Sequence, residues 1–77
     1  MPHIIVKLYL GKSEEAKARL AGEIVSAVVT TLKCGEESVS VAMQEVKPED
    51  WGETVYKPDI ADNWASLYKQ PGYNPFE

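Results

Sequence analysis

Apolar and polar positions alternate at the start of the chain. Ile4, Val6, Leu8 and Leu10 share one face at period two, and His3, Ile5, Lys7 and Tyr9 share the other. β-Branched and aromatic residues dominate the run and Gly11 ends it. The pattern predicts a strand with one face on a core and the other at a mixed surface or interface. The period then changes. Ala16, Leu20, Ile24, Ala27, Val28, Thr31 and Leu32 recur at helical spacing, with Lys17, Arg19 and Glu23 on other faces. Ser13 is the predicted N-cap, and Glu14 and Glu15 follow in the first turn, where the helix dipole favours negative charge. Gly35 is the predicted residue closing the helix, which should run for about twenty residues and roughly 30 Å.

Alternation returns in Ser38–Glu45, where Val39, Val41 and Met43 fall on one side. Strand, long helix and strand make a βαβ unit of the α/β class. A right-handed crossover makes its two strands parallel. Pro48 prevents the second strand from continuing, and Pro48–Gly52 has turn chemistry. Glu53–Lys57 then predicts a short extended segment and Asp59–Lys69 a C-terminal helix, with Ile60, Trp64, Leu67 and Tyr68 on one face. An extended aromatic tail follows. The 77 residues read as a single domain, 1–77, with 58–77 as a C-terminal extension.

A two-stranded parallel sheet under one helix leaves sheet edges and apolar surface exposed. Chains this short bury only about 60% of their unfolded surface and need a staple. One cysteine, Cys34, makes no internal disulfide, and one histidine with one cysteine is too few for a structural zinc site. Association is the remaining support, so the sheet is expected to be completed by dimerisation. The net charge of −4, with its eight basic residues dispersed, argues against nucleic acid as a partner. Ile4–Leu10 is too short to span a bilayer and lacks the flanks of a signal peptide. With an unpaired cysteine, these features place the chain in the cytoplasm.

There is no nucleophile elbow, glycine-rich phosphate loop or paired metal-ligand motif. The unusual feature is Pro2. Removal of Met1, expected before so small a side chain, leaves a free secondary amine at the tip of a strand. Desolvation beside a cation disfavours the ammonium form and makes a neutral base available. Pro2 opening an apolar strand, then Leu10-Gly11-Lys12-Ser13-Glu14-Glu15 opening a long helix, then Ser38-Val39-Ser40-Val41, resembles the 4-oxalocrotonate tautomerase family over about Pro2–Gly52.

The resemblance implies the tautomerase fold and an N-terminal proline, here Pro2, acting as general base between an enol oxygen and a carbon. A family arginine that binds substrate carboxylate falls on Lys12, which keeps the charge without the bidentate fork. A second family arginine falls on Ser40, which supplies one hydrogen bond and no charge. A family aromatic that closes the apolar wall falls on Trp51. His3 reads as a surface or interface residue, turned away from Pro2 by strand alternation, and Cys34 as structural. The resemblance therefore implies a cofactor-free, metal-free keto–enol tautomerase of small 2-keto or 2-hydroxy-enoic acids such as phenylenolpyruvate, with Pro2 catalytic and Lys12, Ser40 and Trp51 on the substrate. Many short members form hexamers, and the extension is expected to cover the trimerising surface and leave a homodimer. Two other readings fit the same residues: a hydratase or dehalogenase on the same fold, and a non-enzymatic dimeric interaction module.

Overall fold

The structure, a computed structural model, describes residues 1–77 and divides into two compact units, Met1–Glu45 and Val46–Glu77. In the first, strand β1 (His3–Tyr9) leads through a turn to helix α1 (Glu14–Leu32), a single 3₁₀ turn (Glu36–Ser38) and strand β2 (Ser40–Val46). The strands pair in parallel as a two-stranded sheet, the expected βαβ unit. Gly11, at φ 110, makes the turn that ends β1, a conformation that costs a side chain dearly. Ser13 caps α1 as its sequence predicts, its Oγ accepting the Ala16 N–H at 3.0 Å. The helix closes two residues earlier than Gly35 suggests. Lys33 itself takes the left-handed conformation, and its N–H donates to the Val29 carbonyl at 3.0 Å.

The inner face of α1 is offset from the apolar stripe. Ala21, Ile24, Val25, Val28 and Val29 are partly covered, and Lys17 is the one buried residue of the helix. Leu20 and Leu32 remain 41% and 62% exposed. Ile5, Tyr9 and Leu10 of the β1 region are also exposed, and no apolar side chain of this unit is buried. A sheet this narrow cannot cover one helix, and the offset leaves apolar surface on both layers.

The second unit starts with a 3₁₀ turn at Pro48–Asp50 and continues through Trp51 as a π-helical stretch, Gly52–Ile60, then a 3₁₀ stretch, Ala61–Ser66. Glu53–Lys57 is therefore helical where alternation suggests an extended piece, and the helix expected over Asp59–Lys69 starts earlier and ends at Ser66. Two local effects account for this. Pro58 lacks the N–H that a regular turn requires, and the Asn63 side chain donates to the Pro58 carbonyl at 2.8 Å, drawing the backbone off its helical path at φ −125. Val55 and Tyr56 form the unit's buried centre. Tyr73 and Phe76 fold back over Tyr56, ring centroids 5.5 and 6.1 Å away. Gly52 admits the Phe76 ring, since a Cβ there would lie 2.9 Å from it. Trp64 and Tyr68 stay exposed.

Candidate active site

Pro2 precedes β1 directly and is half-buried, while Met1 beyond it is wholly exposed. The Pro2 carbonyl accepts the Ser40 N–H at 3.1 Å, so the start of the chain is fastened to the first residue of β2. In a parallel ladder that bond sets Ser40 beside His3 on one sheet face. Their side chains meet there, with 2.6 Å between His3 Nδ1 and Ser40 Oγ. The sheet thus brings to one strand end Pro2, Ser40 and a third group, His3, which alternation assigns to a surface or interface. The signal for it was a histidine next to Pro2 and a serine opening the second strand, readable only once the register is known.

Lys12 lies at the other end of β1. Eight residue steps of extended chain separate Leu10 from Pro2, roughly 26 Å. Within one chain Lys12 and Pro2 cannot hold the same small molecule. Lys12 instead borders an apolar hollow of 170 Å³ shared with Leu8, Ala16, Lys17 and Leu20. Trp51 belongs to the second unit, where its indole N–H donates to the Tyr73 hydroxyl at 2.7 Å.

Lys17 is the strongest electrostatic feature of the first unit. Its ammonium group sits 2.7 Å from Glu14 and 2.8 Å from Glu45. Hydrogen bonds to Glu14 and then to Glu45 hold the amine above its ordinary value of 10.5. The pair with Glu14 has a visible sequence signal, acid and base three residues apart on a helix. The pair with Glu45 has none. This cluster joins α1 to β2 and is a structural clamp.

Residues 2–55 match the family described as "Tautomerase enzyme". The chain is a member of the tautomerase family. A probable tautomerase from Xylella fastidiosa is 41% identical over 73 residues, 95% of this chain and 89% of that protein. Tautomerase PptA of Escherichia coli O157:H7 is 35% identical over 75 residues, covering 96% of this chain and 99% of that protein. Among solved structures, TomN, a 4-oxalocrotonate tautomerase homologue of the tomaymycin biosynthetic pathway, superposes with a TM-score of 0.64 at 33% identity, over 83% of this chain and 95% of its own. A 4-oxalocrotonate tautomerase isozyme of Methylibium petroleiphilum gives 0.64 at 27% identity, over 86% of this chain and all of its own. This tautomerase is accordingly an enzyme of the isomerase class, which sets aside the interaction-module reading. No helix of it is long and apolar enough to cross a membrane.

Proposed function

We propose that this tautomerase interconverts the enol and keto forms of small 2-keto and 2-hydroxy-enoic acids, phenylenolpyruvate among them, in the cytoplasm and without a cofactor. Pro2 is the base. Its nitrogen lone pair takes the enol O–H proton, the oxygen electrons close the C=O bond, and the C=C pair takes the proton back from the prolinium onto carbon. The proton count is unchanged. The observation that carries the reading is the place of Pro2: a half-buried proline fastened by its carbonyl to β2 at 3.1 Å, behind a methionine fully open to an aminopeptidase. A positioned base of this kind contributes roughly 10²–10⁴-fold in rate.

Lys12 holds the substrate carboxylate, and it does so from a second copy. Two copies joined antiparallel along the outer edge of β1, with the two-fold axis at Val6, set residue i opposite residue 12 − i. Pro2 of one copy then faces Leu10 of the other, one turn from its Lys12. Pairing along β2 would leave the two apart. Ser40 donates to the same substrate end, and Trp51 offers an aromatic surface to the other. The exposed apolar residues of β1 and α1 support the homodimer, since their burial drives association.

The test is to block the base. Retention of Met1, or chemical acylation of the processed N-terminus, should abolish turnover of phenylenolpyruvate while secondary structure and association persist. Full activity with a blocked terminus, or turnover of haloacrylates and none of enolpyruvates, would overturn this assignment.

A further inference from the structure

His3 and Ser40 meet at a distance of 2.6 Å beside Pro2, and both side chains are exposed to an incoming ligand. We propose that His3 is a positioning residue: its Nδ1–H donates to Ser40 Oγ and leaves the serine proton free to bind a substrate carboxylate. The inference rests on the reading that substrate binds at Pro2.

Hydrogen-bond arithmetic limits the pair to two arrangements. Serine has one O–H, and neutral imidazole has one N–H. If the serine gives its proton to Nδ1, its oxygen shows only lone pairs outward and repels an anion. If Nδ1–H donates to Oγ, the O–H points outward and attracts one. A carboxylate within reach therefore selects the second arrangement, and each bond in the chain N–H···O–H···O⁻ polarises the next. The backbone fixes where this happens. The Ser40 N–H is held by the Pro2 carbonyl at 3.1 Å, so the hydroxyl stands on the strand end that carries the base. Ser40 alone would be a freely rotating hydroxyl. With His3 it becomes a directed donor, and a preorganised donor loses less on binding.

Steady-state kinetics with phenylenolpyruvate, and calorimetric binding of cinnamate and cinnamamide, test the pair in the full-length processed enzyme. His3→Leu and Ser40→Ala should each raise KM roughly 5- to 50-fold and change kcat by less than about 3-fold, the effect of losing one hydrogen bond to a charged group. The double variant should be no worse than either single one, because both remove the same contact. His3→Gln, whose amide N–H can reach Ser40 Oγ, should recover most of the loss. Cinnamate binding should weaken in parallel while cinnamamide changes little, a contrast that general damage to the fold would not produce. Unchanged cinnamate affinity in folded His3→Leu and Ser40→Ala, independent additive effects, or equal losses for acid and amide overturn the proposal. Binding needs no catalysis, so these outcomes stand apart from those that decide whether Pro2 is the base.

Discussion

The Ser40 N–H donates to the Pro2 carbonyl at 3.1 Å, and this one bond joins the start of the chain to the start of its second strand. It uses the carbonyl of Pro2 and leaves the nitrogen outside the ladder. Pro2→Ala should therefore fold and associate as the unaltered chain does, its circular dichroism and sedimentation unchanged. Its kcat/KM should fall by roughly 10² or more, with a residue of activity from the primary amine. Loss of the fold together with activity would remove the grounds for treating Pro2 as chemical rather than structural.

Lys12, at the far end of β1, supplies the second prediction. If each site takes Pro2 from one copy and Lys12 from its partner, two impaired chains can complement. Lys12→Ala should raise KM roughly 10- to 100-fold. Mixed after unfolding with Pro2→Ala chains, it should restore about a quarter of the unaltered activity, since half of the dimers are mixed and each has one intact site. Sites contained within single chains would show no restoration on mixing.

The third prediction is that the assembly in solution is a dimer. Trp64, Tyr68 and Phe76 of the extension are exposed, and the ordering cost of large aromatics is offset only when they are buried. Sedimentation equilibrium at micromolar concentration should give twice the 8.6 kDa chain mass. A hexamer would show that the extension leaves the trimerising surface open, and a monomer would remove the shared site altogether.

Much of the first unit was legible because its signals are local. Ser13 caps α1 through a contact three residues away, and the β1 alternation of Ile4, Val6 and Leu8 survives in the sheet. What was not legible depends on distant partners. Lys17 reads as lying off the apolar face of the helix, yet it is buried on Glu45, 28 residues on, while Leu20 of that face stays exposed. His3 reads as a surface or interface residue, and it is exposed; its contact with Ser40 was not legible, because the parallel register that sets them side by side is not written in either strand. In the second unit Glu53–Lys57 has too few apolar positions to fix a period, and the Asn63 side chain that bends the backbone reaches the Pro58 carbonyl through a contact no pattern announces.

Lys17 gives the fourth prediction its sign. Its two carboxylate partners raise the folded-state value above 10.5, so the stabilisation is fully present below about 10.5 and is lost as pH rises through the folded value. Lys17→Met keeps the stem that packs between α1 and β2 and removes the charge. Thermal melts should find the variant less stable than the unaltered chain at pH 8. The difference should narrow above pH 10.5, because other titrations are common to both proteins and cancel. Parallel curves across that range would mean that the clamp contributes packing and no charge.

Substrate choice follows from Ser40. A diacid such as 2-hydroxymuconate presents a carboxylate at each end and calls for a cation at each. The site proposed here has one cation, Lys12, and beside it, where the family carries a second one, a serine whose hydroxyl is directed by His3 but carries no charge. Desolvating a second carboxylate without a paired charge costs several kcal/mol after relaxation, more than an aromatic wall restores. The monoacid loses nothing by comparison, because its far end is apolar and suits an aromatic surface such as that of Trp51. Phenylenolpyruvate should therefore be turned over with kcat/KM roughly tenfold or more above that for 2-hydroxymuconate, about the worth of one charge-assisted hydrogen bond. Ser40→Arg should narrow the gap by improving the diacid, its guanidinium taking one carboxylate in a bidentate pair and leaving Lys12 for the other. Both substrates should be assayed on both proteins at one ionic strength, since screening would otherwise shift the diacid more than the monoacid. A preference of the unaltered enzyme for the diacid would mean that another cation, Arg19 or Lys33, reaches the site in the assembled enzyme, and that Ser40 does not set the choice.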